Sequence, residues 1–321
     1  MSIRNSSGDF VGVDVSKAYV DVCVINAAGE WLWSEQVARA AAPLEQLAQR
    51  LGPHACVVLE ATGGLEALPA AVLEAAGIHT SVENPAKIRH FALSHGWLEK
   101  TDRLDARVLA EFARERRPRP RRRPDPRVEA LSKLVVRRSQ LVRLRAAERT
   151  RLRGETDPFC RQSLGDLILA LKQQIDNCEQ QIRLRVEASP ELSARARLLR
   201  SAPGVGDQTA YALLAWLPEL GGFNRGQIAK LVGLAPLVKQ SGRWRGRVMT
   251  LGGRARVRSA LYLAALSAVR CSAYYRDFYL RLLAKGKAKK LALIAVARKL
   301  LLALNQMLAS SSLWENSFHA A

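Results

Sequence analysis

The period of apolar and polar positions changes along the chain, and the changes divide it. Residues 10–37 hold three short runs, FVGVDV, AYVDVCVIN and EWLWSEQV, separated by turns at Ser16-Lys17 and Ala28-Gly29. Apolar, β-branched runs with tight turns predict an antiparallel meander. Helical periodicity over 43–51 then leads to a buried strand at 55–61. A helix at 65–76, a strand at 78–82 and helices at 85–95 and 102–116 follow. Antiparallel strands first, then βαβα, predict an α/β domain of ribonuclease H-like order, in which ligands gather at strand ends.

Residues 116–127 read RRPRPRRRPDPR. Repeated proline forbids a regular helix there, so a cationic, extended linker is expected. It serves either as a solvated tether or as a strap in which Arg121, Arg122 and Arg123 contact phosphate. Residues 128–187 read as helix with a break at Gly154–Pro158. Leu164, Ile168, Leu171, Ile175, Cys178 and Ile182 form a heptad-type, coiled-coil seam. An antiparallel hairpin would satisfy this seam within the chain; the reading favoured here is pairing between chains. From 190 onward the chain is helical again, and Pro203-Gly204-Val205-Gly206 interrupts it. Helix, PGVG, helix is a helix-hairpin-helix pattern. Gly204 and Gly206 would let backbone N–H groups approach a phosphate. A plain inter-helical turn is the alternative.

Charge narrows the partners. Lys plus Arg is 50 and Asp plus Glu is 29, a formal charge of +21 in 321 residues. Such an excess suits a polyanion, most simply nucleic acid. Cys23, Cys56, Cys160, Cys178 and Cys271 are odd in number and form no CxxC, so core thiols in a reducing cytoplasm are expected. No signal peptide is visible in the first residues. Leu291–Leu308 is apolar but carries Arg298 and Lys299. A buried amphipathic helix is expected there and no membrane span, which would need about 20 apolar residues.

Against this charge, four carboxylates stand out. Asp102 and Asp105 lie at i and i+3, on one face of a helix. Asp14 and Glu60 interrupt or end apolar strands, where a buried acid is costly unless paired or metal-bound. Singly, each has a structural role open to it: Asp14 closing a turn with Ser16, Asp102 and Asp105 facing a helix dipole behind a Thr101 cap. Together they can hold two divalent metals for phosphodiester cleavage. Glu99 and Glu111 are assigned to solvent. A second feature is Gln240-Ser241-Gly242-Arg243-Trp244-Arg245-Gly246-Arg247. Arg243, Arg245 and Arg247 alternate around a loop serine, and two roles are open: a backbone-phosphate loop, or a serine nucleophile supported by positive charge.

Long segments carry a resemblance. They are LEATGG at 59–64, NPAKIRHFA at 84–92 and KTDRLDARVLAEFA at 100–113. PGVGDQTAYALLAWLPELG at 203–221, GLAPLVKQSGRWRG at 233–246, Gly252–Ala264 and FYLRLLAKGKAKKLALIAVARKLL at 278–301 complete the set. In this order they resemble the DEDD transposases of the insertion-sequence one-ten family, relatives of the Piv-type pilin invertases. The resemblance covers nearly everything except the central helical region and implies a RuvC-like domain over 1–116 and a C-terminal transposase domain over 190–321, either side of the basic linker at 117–127 and the helical coiled-coil region at 128–189 read above. It implies Asp14, Glu60, Asp102 and Asp105 as catalytic metal ligands for two Mg²⁺ ions, with Mn²⁺ as a substitute, and Ser241 as nucleophile. It implies double-stranded target and donor DNA and a structured bridge RNA pairing with both; the helical region at 128–187 adds the expectation of a homo-oligomer, dimer or tetramer. A Holliday-junction resolvase using water and a non-catalytic nucleic-acid-binding protein are the competing classes.

Overall fold

The computed structural model describes residues 8–97, 102–120, 125–236, 240–241, 244–245, 250 and 252–315, with backbone alone for 102–104, 240–241 and 244–245. The chain forms two compact units, 1–123 and 124–321.

In the first unit, β1 (Phe10–Val15), β2 (Tyr19–Ile25) and β3 (Trp31–Ala38) form the meander. The β1–β2 turn is closed by Ser16, whose Oγ donates to Tyr19 O and accepts from Tyr19 N–H. Then come α1 (Ala41–Leu51), β4 (Cys56–Glu60), α2 (Ala67–Ala75), β5 (His79–Glu83), α3 (Pro85–Ser94) and α4 (Asp102–Arg116). The sheet order is β3-β2-β1-β4-β5, with β1, β4 and β5 parallel and β2 antiparallel to both neighbours. Because β1 and β4 are covered on both faces, they read as nearly continuous apolar runs. One face buries Val11, Val13, Val57 and Leu59 against Leu44, Leu47 and Leu73 of α1 and α2. The other buries Phe10, Cys23, Ile25 and Val58 against Ile88, Phe91, Leu109 and Phe112 of α3 and α4.

After α4 the chain is pinned before it leaves. The Arg117 guanidinium lies 5.4 Å from the Phe10 ring centroid, and His79 Nε2 lies 2.7 Å from Pro118 O. Arg121, Arg122 and Arg123 fall outside the described residues.

The second unit is helical: α5 (Pro126–Gly154), α6 (Pro158–Glu187), α7 (Pro190–Ser201), α8 (Asp207–Trp216), α9 (Arg225–Val232), a short hairpin of β6 (Gln240–Ser241) and β7 (Trp244–Arg245), then α10 (Ala255–Cys271), α11 (Ala273–Ala284) and α12 (Lys289–Ser310). α5, α6 and α7 start alike. Asp125, Asp157 and Ser189 accept from backbone N–H groups of the first turn, and proline occupies the first helical position. The expected linker therefore ends early, because its last proline begins a helix instead of preventing one.

The heptad seam of α6 packs on α5 of the same chain, with Ile175 and Ile182 buried. Leu164, Ile168, Leu171 and Cys178 of the same seam stay half-buried. At the hairpin base, Leu131, Val135, Ile182 and Val186 join the core built around α8, α10 and α12. The apolar α12 is a core helix, with Leu300, Leu301, Leu304 and Met307 fully buried. Near its end, Asn305 accepts from Gly221 N–H at 2.9 Å and donates to Phe223 O at 2.8 Å. All five cysteines are free, and the expectation of core thiols fails for Cys160 and Cys271, which are exposed.

Candidate active site

The first unit gathers its acids through strand register. The β1–β4 pairing runs to Val13 beside Leu59, so Asp14 and Glu60 follow as neighbours at the carboxyl ends of parallel strands. Residues directly opposite on adjacent strands share a face. Asp14 lies opposite Asp21 of β2, and Glu60 opposite Glu83 of β5. Asp21, Asp14, Glu60 and Glu83 thus form one row across four strands. All four are partly exposed. Asp14 Oδ1 accepts from Val15 N–H at 3.0 Å. The turn it was a candidate to close is closed by Ser16 instead.

A glycine brings α4 to this row. An added Cβ on Gly12 would stand 1.9 Å from Ala106 O and 2.5 Å from Ala110 N. Only a residue without a side chain lets β1 and α4 approach so closely. The far end of α4 leads to Arg117, which lies over Phe10. The helix therefore runs antiparallel to β1, and its first turn, with Asp102 and Asp105, lies at the Asp14 end. Gly12→Ala is expected to cost about 1–3 kcal/mol through overpacking and to lower activity by displacing α4. Chemical denaturation beside an activity assay checks this; unchanged stability would contradict the packing.

Glu60 is held by the loop that follows it. Glu66 Oε2 accepts from Thr62 N–H at 3.0 Å and Gly64 N–H at 2.9 Å, and Ala61 N–H donates to Glu83 O. Gly63 and Gly64 adopt positive φ, at 67° and 106°, as this tight turn requires.

The row's donors are carboxylate oxygens, the type taken by Mg²⁺ or Mn²⁺ and not by a soft metal. Yet among the described residues no group of three or more His, Cys, Asp or Glu is gathered as a metal ligand set. The Asp102 side chain lies outside that description. The residues fit a hard cation by donor type. Glu111, assigned to solvent from sequence, is instead 8% exposed and paired with Arg114 at 2.8 Å. Its place on the inner face of α4 explains the difference. Glu99 and Thr101 lie outside the described residues.

Ser241 belongs to the second unit. It ends β6 and pairs with Trp244 of β7, while Gln240 pairs with Arg245. Arg243 and Arg247 lie outside the described residues. The two ends of the segment carrying Ser241 are locked together. An added Cβ on Gly233 would meet Gly252 O at 2.2 Å, and one on Gly253 would meet Gly233 N at 2.3 Å. Arg258 Nη1 donates to Val232 O at 3.1 Å and Gly252 O at 2.6 Å. Arg254 donates to both Glu219 oxygens at 2.5 and 2.6 Å. Burial pushes the Glu219 carboxyl up, but the Arg254 hydrogen bond, a backbone hydrogen bond and the guanidinium charge together outweigh it and hold the group below the usual carboxylate range. A lowered pKa means the clamp stabilises at neutral pH and is lost as pH falls through the folded-state value.

The PGVG turn joins α7 to α8 as expected, but its glycines differ. Gly204 has φ of 81°, and an added Cβ would meet Ala264 O and Ala268 N at 2.5 Å. Gly204 thus serves the packing of the turn on α10. Gly206 precedes α8 with nothing within 4 Å of an added Cβ, which leaves it open to a ligand.

Sequence reasoning missed Asp21 and Glu83. The alternation in Tyr19-Val20-Asp21-Val22 was visible, but the pairing partner that puts Asp21 beside Asp14 was not.

A transposase profile of the DEDD IS110 type matches residues 11–156, and a profile described as "Transposase IS116/IS110/IS902 family" matches 196–280. The pilin gene-inverting protein of Moraxella lacunata is 33% identical over 227 residues, 69% of this chain and 70% of that protein. The IS110 uncharacterized 43.6 kDa protein of Streptomyces coelicolor is 31% identical over 160 residues, 49% of this chain and 38% of its own length. A transposase for insertion element IS1111A of Coxiella burnetii is 25% identical, across 90% of this chain and 86% of its own. With profiles matching in both halves of the sequence and a relative 33% identical over 69% of it, the chain belongs to the IS110 family of transposases and site-specific recombinases.

Proposed function

We propose that this chain cuts and exchanges DNA strands for an insertion sequence, with Asp14, Glu60, Asp102 and Asp105 as ligands of divalent metal and Ser241 as nucleophile. The observation that supports the reading is the pairing that sets Asp14 and Glu60 at neighbouring parallel strand ends, with α4 packed on Gly12 of the same strand. The sheet order of the first unit supports a RuvC-like domain. A divalent cation bound by these acids would polarise the phosphodiester and offset charge as the bond breaks.

The Ser241 oxygen attacks phosphorus and gives up its proton. The bond to the 3′ oxygen breaks, and that oxygen leaves as a 3′-hydroxyl. The protein is then joined to DNA through phosphoserine. A second 3′-hydroxyl attacks the phosphoserine, reseals the backbone and returns the serine. Bond energy is conserved throughout, so the exchange needs no nucleotide cofactor.

The charge of +21 supports broad contact with phosphate backbones. Exposed Lys285, Lys287, Lys289 and Lys290, around the start of α12, are positions for it. Sequence choice is assigned to a bridge RNA pairing with target and donor DNA, by analogy with other RNA-guided enzymes. Exposed Leu144, Phe159, Leu167 and Leu169 on the α5–α6 hairpin support assembly of several chains.

Chelation tests the metal requirement. EDTA should abolish strand cutting, and added Mg²⁺ or Mn²⁺ should restore it while DNA binding persists. Cutting that continues in EDTA would refute the carboxylate site.

A further inference from the structure

A cleft opens beside the acid row. It has a volume of about 520 Å³ and is lined by Asp21, Cys23, Trp31, Ser34 and Gln36 of β2 and β3 and by Ala106 and Arg107 of α4, among others. That volume lies within the roughly 300–1,000 Å³ of small-molecule sites. Its floor follows from pairing. Asp21 lies opposite Gln36, and Cys23 opposite Ser34, so these residues share a sheet face. Cys23 fixes which face, because it packs with α3 and α4. α4 covers β1, β2 and β4, and the sheet continues past it to β3. Trp31, Ser34 and Gln36 are exposed there although they lie on the helix-covered side.

The cleft's chemistry suits a flat, neutral, hydrogen-bonding ligand. Trp31 is 59% exposed, an unusual state for the largest apolar side chain. Its ring is nonetheless fixed, since Nε1 donates to Ser34 Oγ at 2.9 Å. A fixed, exposed indole is a stacking platform. Gln36 Nε2 donates to Asp21 Oδ1 at 3.2 Å, which orients the amide and presents its carbonyl oxygen as an acceptor. Glu35 is committed to Arg50 at 2.7 Å. Asp21 and Arg107 put one charge of each sign in the lining, so the exposed indole and the oriented amide, not net charge, favour a base as occupant.

Position supplies the rest. Asp21 is the cross-strand neighbour of Asp14, and β3 lies one strand further, about 5 Å per strand. We propose that this cleft receives one unpaired DNA base, from a nucleotide next to the phosphodiester held at the acid row. The inference rests on the reading of that row as the cutting site. The base stacks on Trp31 and meets Gln36 and Ser34 with its polar edge. The site tolerates every base that can stack, and it requires the base to leave its duplex partner.

The test uses the full chain and two single-stranded deoxyoligonucleotides of equal length, one with all its bases and one wholly abasic. Trp31→Ala should weaken binding of the first about tenfold and leave binding of the second unchanged. Trp31→Phe should recover most of the loss, and Gln36→Ala should repeat part of it. Equal loss on both oligonucleotides, or none on either, would overturn the proposal. Thermal melting separates a misfolded variant from a binding defect, and the Phe variant keeps the test decisive in that case. The readout needs no cutting, so it is separable from the proposed function. If Asp14→Asn still cuts, the acid row fails while the base preference can stand. If Asp14→Asn is dead and Trp31→Ala binds normally, the cleft alone is wrong.

Discussion

Ser241→Ala is expected to abolish strand cutting, with a loss of about 10⁴-fold or more, as when a nucleophile is removed. DNA binding should stay within about twofold, because backbone contacts elsewhere carry affinity. The reason lies in how the loop is built. Ser241 ends a two-residue strand in a hairpin whose base is locked at Gly233, Gly252 and Gly253. The substitution removes one oxygen and leaves that lock intact. Gel assays on the same DNA check both quantities. A variant that cuts normally would return the enzyme to the resolvase class, with water as attacking group.

Asp14→Asn should reduce cutting by about 10³-fold, the equivalent of several kcal/mol of transition-state stabilisation. Asparagine keeps the shape and can still accept from Val15 N–H, but it loses the charge that holds a cation. The fold should therefore survive. Asp14 is partly exposed, and its turn is closed independently by Ser16. Glu60→Gln should behave alike, since it occupies the same row. The double variant should be little worse than either single one, because residues that act as a unit do not add. Circular dichroism with metal-dependent cutting assays reads this out. Loss of structure together with activity would instead make these acids structural.

Much of the first unit was legible because its elements obey simple periods. FVGVDV and CVVLE are apolar on both faces, and both are central strands with helices on each side. The bounds expected for α4 match the helix, and those of β3 fall within a residue of the strand. What sequence could not supply was lateral order. Nothing local in Tyr19-Val20-Asp21 says which strand lies beside it, so the acid row and the cleft emerged only with register. Gly12 is similar: a glycine in a strand signals close approach, but not that α4 is what approaches.

In the second unit the helices were legible and their partners were not. The α6 seam has the same spacing whether it meets another chain or α5, and a pattern of period 3.5 does not name its partner. Asp125-Pro126 was absorbed into the linker because proline was weighed as a breaker and not as a first helical residue. Gly204 and Gly206 look equivalent in PGVG, yet one packs on α10 and the other is open.

The most direct test denatures the full chain after reaction with its DNA in Mg²⁺, digests it and locates any covalently bound nucleotide by mass spectrometry. The account predicts a nucleotide phosphate on Ser241, formed in Mg²⁺, lost with EDTA and lost in Asp14→Asn. Cut DNA bearing free 5′-phosphate with no protein adduct, or an adduct on another residue, would contradict it.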